Sequence, residues 1–316
     1  MDRFRTSLVA ASVCGLFLAG CAGSNSTSQV GPTDFLGGLK HQQVGQVNYG
    51  YYRFGSGKPL VMVNAFGMTM ANWTLPLLEA LSKKYDVTVF DNRGMGNSVD
   101  TSADTLTIPA MADSTIELID ALGIVKPDVL GWSLGAETCF TMAVRHPDKI
   151  NRVISVGGDV GSPATTPPTP AFEAVAFNPK ATIDQACSVL FPPGHEVEID
   201  RFLKGWKAMP ADPINETGVV RQADAYALFS ASTTVWDAVP TIQHQVLLIT
   251  GAEDEGSPPI NSETLAKRLP NAFLVEISNS GHAVLFQEQD RCVQIIDTFL
   301  SGGSGMNAKM EAIAKG

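Results

Sequence analysis

The stretch Val129-Leu130-Gly131-Trp132-Ser133-Leu134-Gly135-Ala136 decides how the rest of the chain is read. Apolar residues that suit a buried strand run into a glycine-flanked serine, and a helix-compatible segment follows. The pattern is G-x-S-x-G, a sharp strand-to-helix turn with the serine at its apex. Such a turn strains the backbone of the apex residue and brings strand and helix together. Small residues are therefore needed two positions to either side, and Gly131 and Gly135 supply them. The Ser133 hydroxyl is expected above the edge of a sheet. The Leu134 N–H, at the start of a helix, is expected to point to where a negative oxygen would develop. Alone, the five-residue pattern describes many Gly-rich turns, so the elements around it carry the decision.

Working outward, residues 60–63 and 87–90 are short apolar runs of the kind buried on both faces of a sheet, and residues 44–54 suit one or two further strands. A helix is expected over residues 72–84, where Trp73, Leu77, Leu78 and Leu81 share one face, and another over 108–122, closed by Gly123. Past the serine, a helix to His146 ends at Pro147. Strands are then expected at 152–156, 246–250 and 273–277, with helices at 260–269 and 284–300. Short strands alternating with helices define an α/β chain with a mostly parallel central sheet covered by helices on both faces. Residues 158–240 break the alternation, with a Pro/Thr stretch and helical pieces but no buried strand. A structureless insertion of that length is uncommon in a compact domain, so a helical cap inserted before the penultimate strand is expected. The core is then residues 40–157 and 241–300, the cap 158–240, and 301–316 a loose tail.

Composition narrows the function. The chain has 316 residues, 44% of them hydrophobic, and a net charge of −10, so it can bury a large core and offers no basic surface for nucleic acid. Residues 1–20 carry Arg3 and Arg5, then an apolar run too short to span a bilayer, then small residues. That is the layout of a signal peptide. It closes with Leu18-Ala19-Gly20-Cys21, which resembles the bacterial lipobox. The resemblance implies cleavage before Cys21, lipidation of that cysteine, and a flexible tether over residues 21–39. The exported protein would then sit in the cell envelope, in the outer membrane of a Gram-negative host. Cys139, Cys187 and Cys292 remain. Cys187 and Cys292 could pair, but sequence does not decide it. The chain has no C-x-x-C spacing and no glycine-rich dinucleotide fingerprint, so no metal and no cofactor are implied.

Over roughly residues 40–300 the chain resembles the α/β-hydrolase superfamily. Four motifs in order carry the likeness: Gly131-Trp132-Ser133-Leu134-Gly135, Asn64-Ala65-Phe66-Gly67, Asp91-Asn92-Arg93-Gly94-Met95-Gly96-Asn97-Ser98, and Ser280-Gly281-His282. Two positions depart from the family pattern: Asn64-Ala65 stands where many members have His-Gly, and Ala136 stands where a further glycine is common. The resemblance implies a serine hydrolase of the carboxylesterase type.

A serine hydroxyl needs a base and a group to orient that base. His282, in a Gly-flanked loop after a strand, is the candidate base, and the chain order Ser133, Asp254, His282 is the order this fold uses. Asp254 follows the strand ending at Thr250. Glu253 and Glu255 are its immediate rivals, and Asp159 is a more distant one. Asp91 belongs to a turn whose side chain is expected to cap local N–H groups. The Leu134 and Phe66 N–H groups form the expected oxyanion hole. Phe66, Met68, Trp132 and Trp206 are the expected substrate-binding residues, and Phe202, Phe191 and Trp236 either join them or are ordinary core aromatics. The substrate would be a small-molecule ester cleaved through an acyl-enzyme. A thioesterase, lactonase, amidase, C–C hydrolase or perhydrolase could use the same machinery. Ser133 disfavours the members that use an aspartate nucleophile. A non-catalytic envelope binding protein would have no need of all three residues.

Overall fold

The computed structural model describes residues 33–178 and 180–315. The expected signal peptide and the expected lipidation site at Cys21 lie outside the described residues. The strands are β1 (Lys40–Val44), β2 (Val47–Gly55), β3 (Lys58–Val63), β4 (Tyr85–Phe90), β5 (Val99–Asp100), β6 (Asp128–Trp132), β7 (Val153–Val156), β8 (Val246–Gly251) and β9 (Ala272–Ile277). They form one sheet in the order β1-β2-β4-β3-β6-β7-β8-β9, with β5 paired to β2. β1 and β2 are antiparallel, and β2 is antiparallel to β4 and β5. From β4 across to β9 every neighbouring pair is parallel. The α/β architecture read from the sequence is therefore the one the chain adopts.

The helices follow in chain order: α1 (Leu75–Ser82), α2 (Ile108–Ala121), α3 (Leu134–Arg145), α4 (Pro170–Ala176), α5 (Ile183–Leu190), α6 (Glu196–Lys207), α7 (Glu216–Ser230), α8 (Thr234–Ala238), α9 (Pro259–Arg268), α10 (Val284–Gln287), α11 (Gln289–Ser301) and α12 (Met306–Lys315). Successive strand residues point to opposite faces of the sheet, and each face is covered. Leu60 and Met62 pack with Leu77 of α1 and Ile295 of α11, whereas Val61 and Val63 pack with Ile119 of α2 and Phe140 of α3. α4 to α8 lie between β7 and β8. Among the described residues no helix is long and apolar enough to cross a membrane.

The order of the strands places the site. β3 pairs with β4 on one side and with β6 on the other, so the chain reverses its direction of growth there. Loops leaving the carboxyl ends of two strands at such a reversal diverge and leave a crevice between them. The loop from Asn64 leaves β3 at this point, and Ser133 leaves β6.

Three expectations are corrected. The helix expected over 72–84 begins only at Leu75, after a 3₁₀ turn (Met70–Trp73), because Thr74 has φ 59° and Pro76 suits only a first turn. The closing helix is broken at Glu288 into α10 and α11. The tail after residue 300 is not loose. Met306, Met310 and Ala314, spaced by four, form the buried stripe of α12, which packs on α11 and β9.

α7 is tied to the core by charge. Asp100 Oδ2 accepts from Arg93 Nε at 2.7 Å and from Arg221 Nη1 of α7 at 2.8 Å. Burial works against the charge. Bonds from Arg93, Ser102 and Arg221 outweigh it and hold the Asp100 carboxyl below the ordinary carboxylate range. A depressed carboxyl contributes stability at neutral pH that is lost as pH falls through its folded-state value. Asp104 still faces both arginines, so Asp100→Asn should cost on the order of 1–2 kcal/mol at pH 7. In thermal melts at stepped pH, the gap to wild type should stay constant down to the ordinary aspartate value of about 3.9 and narrow only below it.

Candidate active site

Ser133 sits between β6 and α3 with φ 54° and ψ −122°. A non-glycine residue at positive φ costs on the order of 1–3 kcal/mol and persists only where its surroundings leave no alternative. The surroundings here are backbone. A Cβ on Gly131 would overlap the Gly135 carbonyl group, and one on Gly135 would overlap the Val63 carbonyl. Ser133 N–H donates to Val156 O at 2.9 Å, and Ser133 O accepts from Ala136 N–H at 2.7 Å. The Ala136 methyl, at the position where a further glycine is common, occupies the space that a Cβ on Gly158 would need. Leu134 is the first residue of α3, so its N–H has no carbonyl partner within the helix.

Asp254 and His282 are brought together by the loops after β8 and β9. His282 Nδ1 lies 2.8 Å from Asp254 Oδ1 and 3.0 Å from Oδ2. Asp254 Oδ1 also accepts the Gly256 and Ser257 N–H groups, each at 2.8 Å. Both side chains are buried. A carboxylate that accepts from Nδ1–H leaves the lone pair of a neutral imidazole on Nε2. Gly157 runs behind the pair, where a Cβ would stand 3.0 Å from Asp254 Oδ2 and 3.2 Å from His282 Nδ1. The rivals are placed elsewhere. Glu253 and Glu255 are exposed, and Glu255 accepts from Thr169. Asp159 turns its Oδ1 to the Gly161 N–H at 2.7 Å and its Oδ2 toward Ser257 and Asn261. Burial raises its carboxyl above the ordinary range.

The loop after β3 is held from several directions. Asn64 Nδ2 donates to Phe90 O at 2.7 Å, and Asn92 Nδ2 donates to Asn64 O at 3.0 Å, so Asn64 clamps the ends of β3 and β4. Asp91 accepts from the Asn97 N–H of its own turn and from the Met70 N–H that follows the loop after β3, so it ties the two together. Gly67 N–H donates to Gln222 Oε1 of α7 at 2.8 Å. Among the described residues the Phe66 N–H has no protein partner.

Aromatic side chains surround these groups. Phe66, half-buried, meets Phe177 edge-on at 5.2 Å, and Phe177 meets Tyr226 at 5.7 Å. Phe172 of α4 stands edge-on to the His282 ring at 5.0 Å. Met68 is half-buried, and Trp206 stacks on Phe202. The placement of Trp132 in the substrate pocket is corrected: it is 1% exposed, packed against Trp73 and Phe286. Its Nε1–H donates to His282 O at 3.0 Å. The residue before the serine thus holds the histidine loop instead of facing substrate. Phe191 and Phe202 are core residues, and Trp236 lies under Arg268. Cys187 and Cys292 are free buried thiols and do not pair. Phe172, Phe177 and Gln222 were not singled out from sequence. A phenylalanine pair in a helical insertion signals packing, and nothing local says against what.

Comparison with known proteins agrees with this fold. A family model described as the alpha/beta hydrolase fold matches residues 58–289, and the chain belongs to that family. It is a hydrolase of the α/β-hydrolase fold. A Caulobacter vibrioides protein provisionally named a carbamate hydrolase is 27% identical over 259 residues, 78% of this chain and 92% of its own length. The 2-hydroxymuconate semialdehyde hydrolase of Pseudomonas sp. strain CF600 is 26% identical over 257 residues, 78% of this chain and 88% of its own. Among solved structures, an alpha/beta hydrolase fold protein from Chitinophaga pinensis superposes with a TM-score of 0.73 at 26% identity, covering 84% of this chain and 98% of that one.

The acid can be tested directly. Asp254→Asn should lower kcat for hydrolysis by something on the order of 10⁴, because the histidine tautomer is no longer fixed. Asp159→Asn should leave kcat within about tenfold of wild type, since Asp159 makes no bond to His282. The reverse pattern in steady-state kinetics would move the acid to Asp159.

Proposed function

We propose that the chain cleaves small carboxylic esters through an acyl-enzyme, with Ser133 as nucleophile, His282 as base and Asp254 as the acid that orients it. The observation that carries this reading is the strained apex of Ser133 at the switch point of a sheet that also presents a buried Asp254–His282 pair. In the first half-reaction His282 Nε2 takes the Ser133 proton as Oγ attacks the ester carbonyl. The resulting oxyanion is received by the Leu134 and Phe66 N–H groups, which face no other partner and need no rearrangement. The tetrahedral species collapses, and His282 returns the proton to the departing alcohol. Water then enters, gives its proton to His282 and attacks the acyl-enzyme, and Ser133 leaves with that proton restored. Asp254 stabilises the imidazolium in both halves without being protonated. Phe66 and Met68 are assigned to the substrate-binding wall on their half-burial in the loop after β3, and Trp206 on its half-burial in α6.

A binding protein of this fold would gain nothing from a strained serine and a buried carboxylate behind a histidine. A fluorophosphonate probe, which reacts with an activated serine, should label the wild type and not Ser133→Ala. The Ser133→Ala protein should melt within about 2 °C of wild type, because the hydroxyl fills no core space. Wild type that resists the probe would count against the nucleophile. A panel of matched ester, thioester, lactone and C–C substrates then separates the ester reading from its relatives on the same machinery.

We also propose export and lipid anchoring, supported by the basic start, the short apolar run and Leu18-Ala19-Gly20-Cys21. Several acyl chains, at about 0.8 kcal/mol per buried methylene, hold a protein to a bilayer far more firmly than one. Cys21→Ser should shift the protein out of the membrane fraction or leave its precursor uncut, and palmitate labelling should disappear with it. Unlabelled wild type found free of membranes would refute the anchor and leave the hydrolase reading intact.

A further inference from the structure

Helix α7 crosses the carboxyl edge of the sheet above the loops that carry the site. Near its start Gly218 packs so tightly on the Gly94 carbonyl that a Cβ would overlap it, and near its end Phe229 occupies the space beside Gly161. Between these points stands Gln222, 0% exposed. Its Oε1 accepts the Gly67 N–H at 2.8 Å. Its Nε2 is buried as well and has no hydrogen-bond partner. One turn on, Tyr226 lies against Phe177, which lies against Phe66. Gln222 and Tyr226 therefore share the face of α7 that meets the loop after β3.

An amide donor taken out of water with no acceptor is destabilising, and almost all buried polar groups avoid that state. Packing does not account for a glutamine here, since a methionine would fill the same volume without the unmet donor. Its acceptor half has a clear task, holding the peptide next to Phe66. Its donor half is unused by the protein and sits beside the candidate oxyanion loop. The strand order says which part of a substrate would reach it. His282 hands the proton to the leaving group, so that group departs on the β8 and β9 side of Ser133. Gln222 lies on the opposite side, against the loop after β3, so of the two substituents of the ester carbonyl the acyl part is the one on its side.

Resting on the acyl-enzyme reading above, we propose that Gln222 is a specificity-determining residue. Its Oε1 fixes the oxyanion loop from the cap, and its Nε2–H donates to an oxygen acceptor, a carbonyl or a carboxylate, on the acyl part of the substrate. Plain alkyl esters leave that donor unpaired and are the poorer substrates. A site built to bond a polar group discriminates against the analogue that lacks it far more strongly than an apolar pocket discriminates by size.

The test compares three p-nitrophenyl esters of equal acyl length: the pentanoate, the levulinate, which adds a ketone, and the glutarate monoester, which adds a carboxylate. Each kcat/KM is divided by the rate of spontaneous hydrolysis. For wild type, at least one oxygen-bearing ester should exceed the pentanoate by on the order of 10–100-fold. Gln222→Met removes acceptor and donor together. It should erase the preference and lower kcat on all three esters. Gln222→Glu, assayed at pH 8, keeps an acceptor for the Gly67 N–H. It should lose the preference and disfavour the glutarate most. Melting temperatures establish that each variant is folded. Wild type that turns over all three esters without preference overturns the proposal by itself, whatever the variants do. A folded Met or Glu variant that keeps the preference also overturns it. Wild type that hydrolyses none of the esters and resists the fluorophosphonate probe removes the ester reading, and this assignment falls with it.

Discussion

The structure depends on a contact that leaves no room for a single extra atom: the crossing of β6 and α3 beneath Ser133. Holding a serine at φ 54° requires that the strand arriving and the helix departing touch backbone to backbone. That contact requires Gly131 and Gly135. The Gly135 contact reaches beyond the turn, because the atom in the way of a Cβ is the carbonyl of Val63 at the end of β3. The same close approach that strains the serine therefore sets the distance between the elbow and the loop after β3. The spacing of Ser133 from the loop after β3 is thus set by a contact between backbones, with no side chain between them to give way.

The histidine is held with less economy. Asp254 fixes its ring from behind, Phe172 bounds its edge, and Trp132 reaches up from the strand to hold its carbonyl. Two of these supports belong to the core, and Phe172 belongs to α4. The cap also touches the loop after β3, through Gln222 and through Phe177. A shift of the helices between β7 and β8 would thus change the surroundings of both His282 and the loop after β3.

Much of this was legible in the sequence, for identifiable reasons. Strands buried on both faces announce themselves as unbroken apolar runs. A serine with glycine two residues to either side, set between such a run and a helical stretch, marks a backbone crossing that tolerates no Cβ. The meeting of Asp254 with His282 was legible because both follow strands, and strand ends converge on one edge of a parallel sheet. What stayed hidden depended on direction in space. Trp132 sits beside the nucleophile in sequence, but alternation along β6 turns its ring into the core. Residues 306–315 carry a helical stripe of two methionines and an alanine, too sparse to announce a buried helix until β9 and α11 are in place to receive it. Gln222 could not be found by pattern at all, because a polar residue inside a helical insertion is ordinary until its burial is known.

Ala136 and Gly158 lead to a consequence of another kind. Between α3 and the segment after β7 there is space for one methyl group, and Ala136 supplies it. The two positions therefore compete for one volume. A chain with glycine at both would lose one packed methyl, a tolerable loss. A chain with alanine at both would press the helix away from the sheet directly below the nucleophile. Moving the methyl to residue 158 would not be neutral even with glycine at 136, because a Cβ there stands 3.1 Å from Ser155 Oγ and 3.2 Å from Ser133 O. A lineage that keeps this turn is therefore held to glycine at 158, whichever small residue stands at 136.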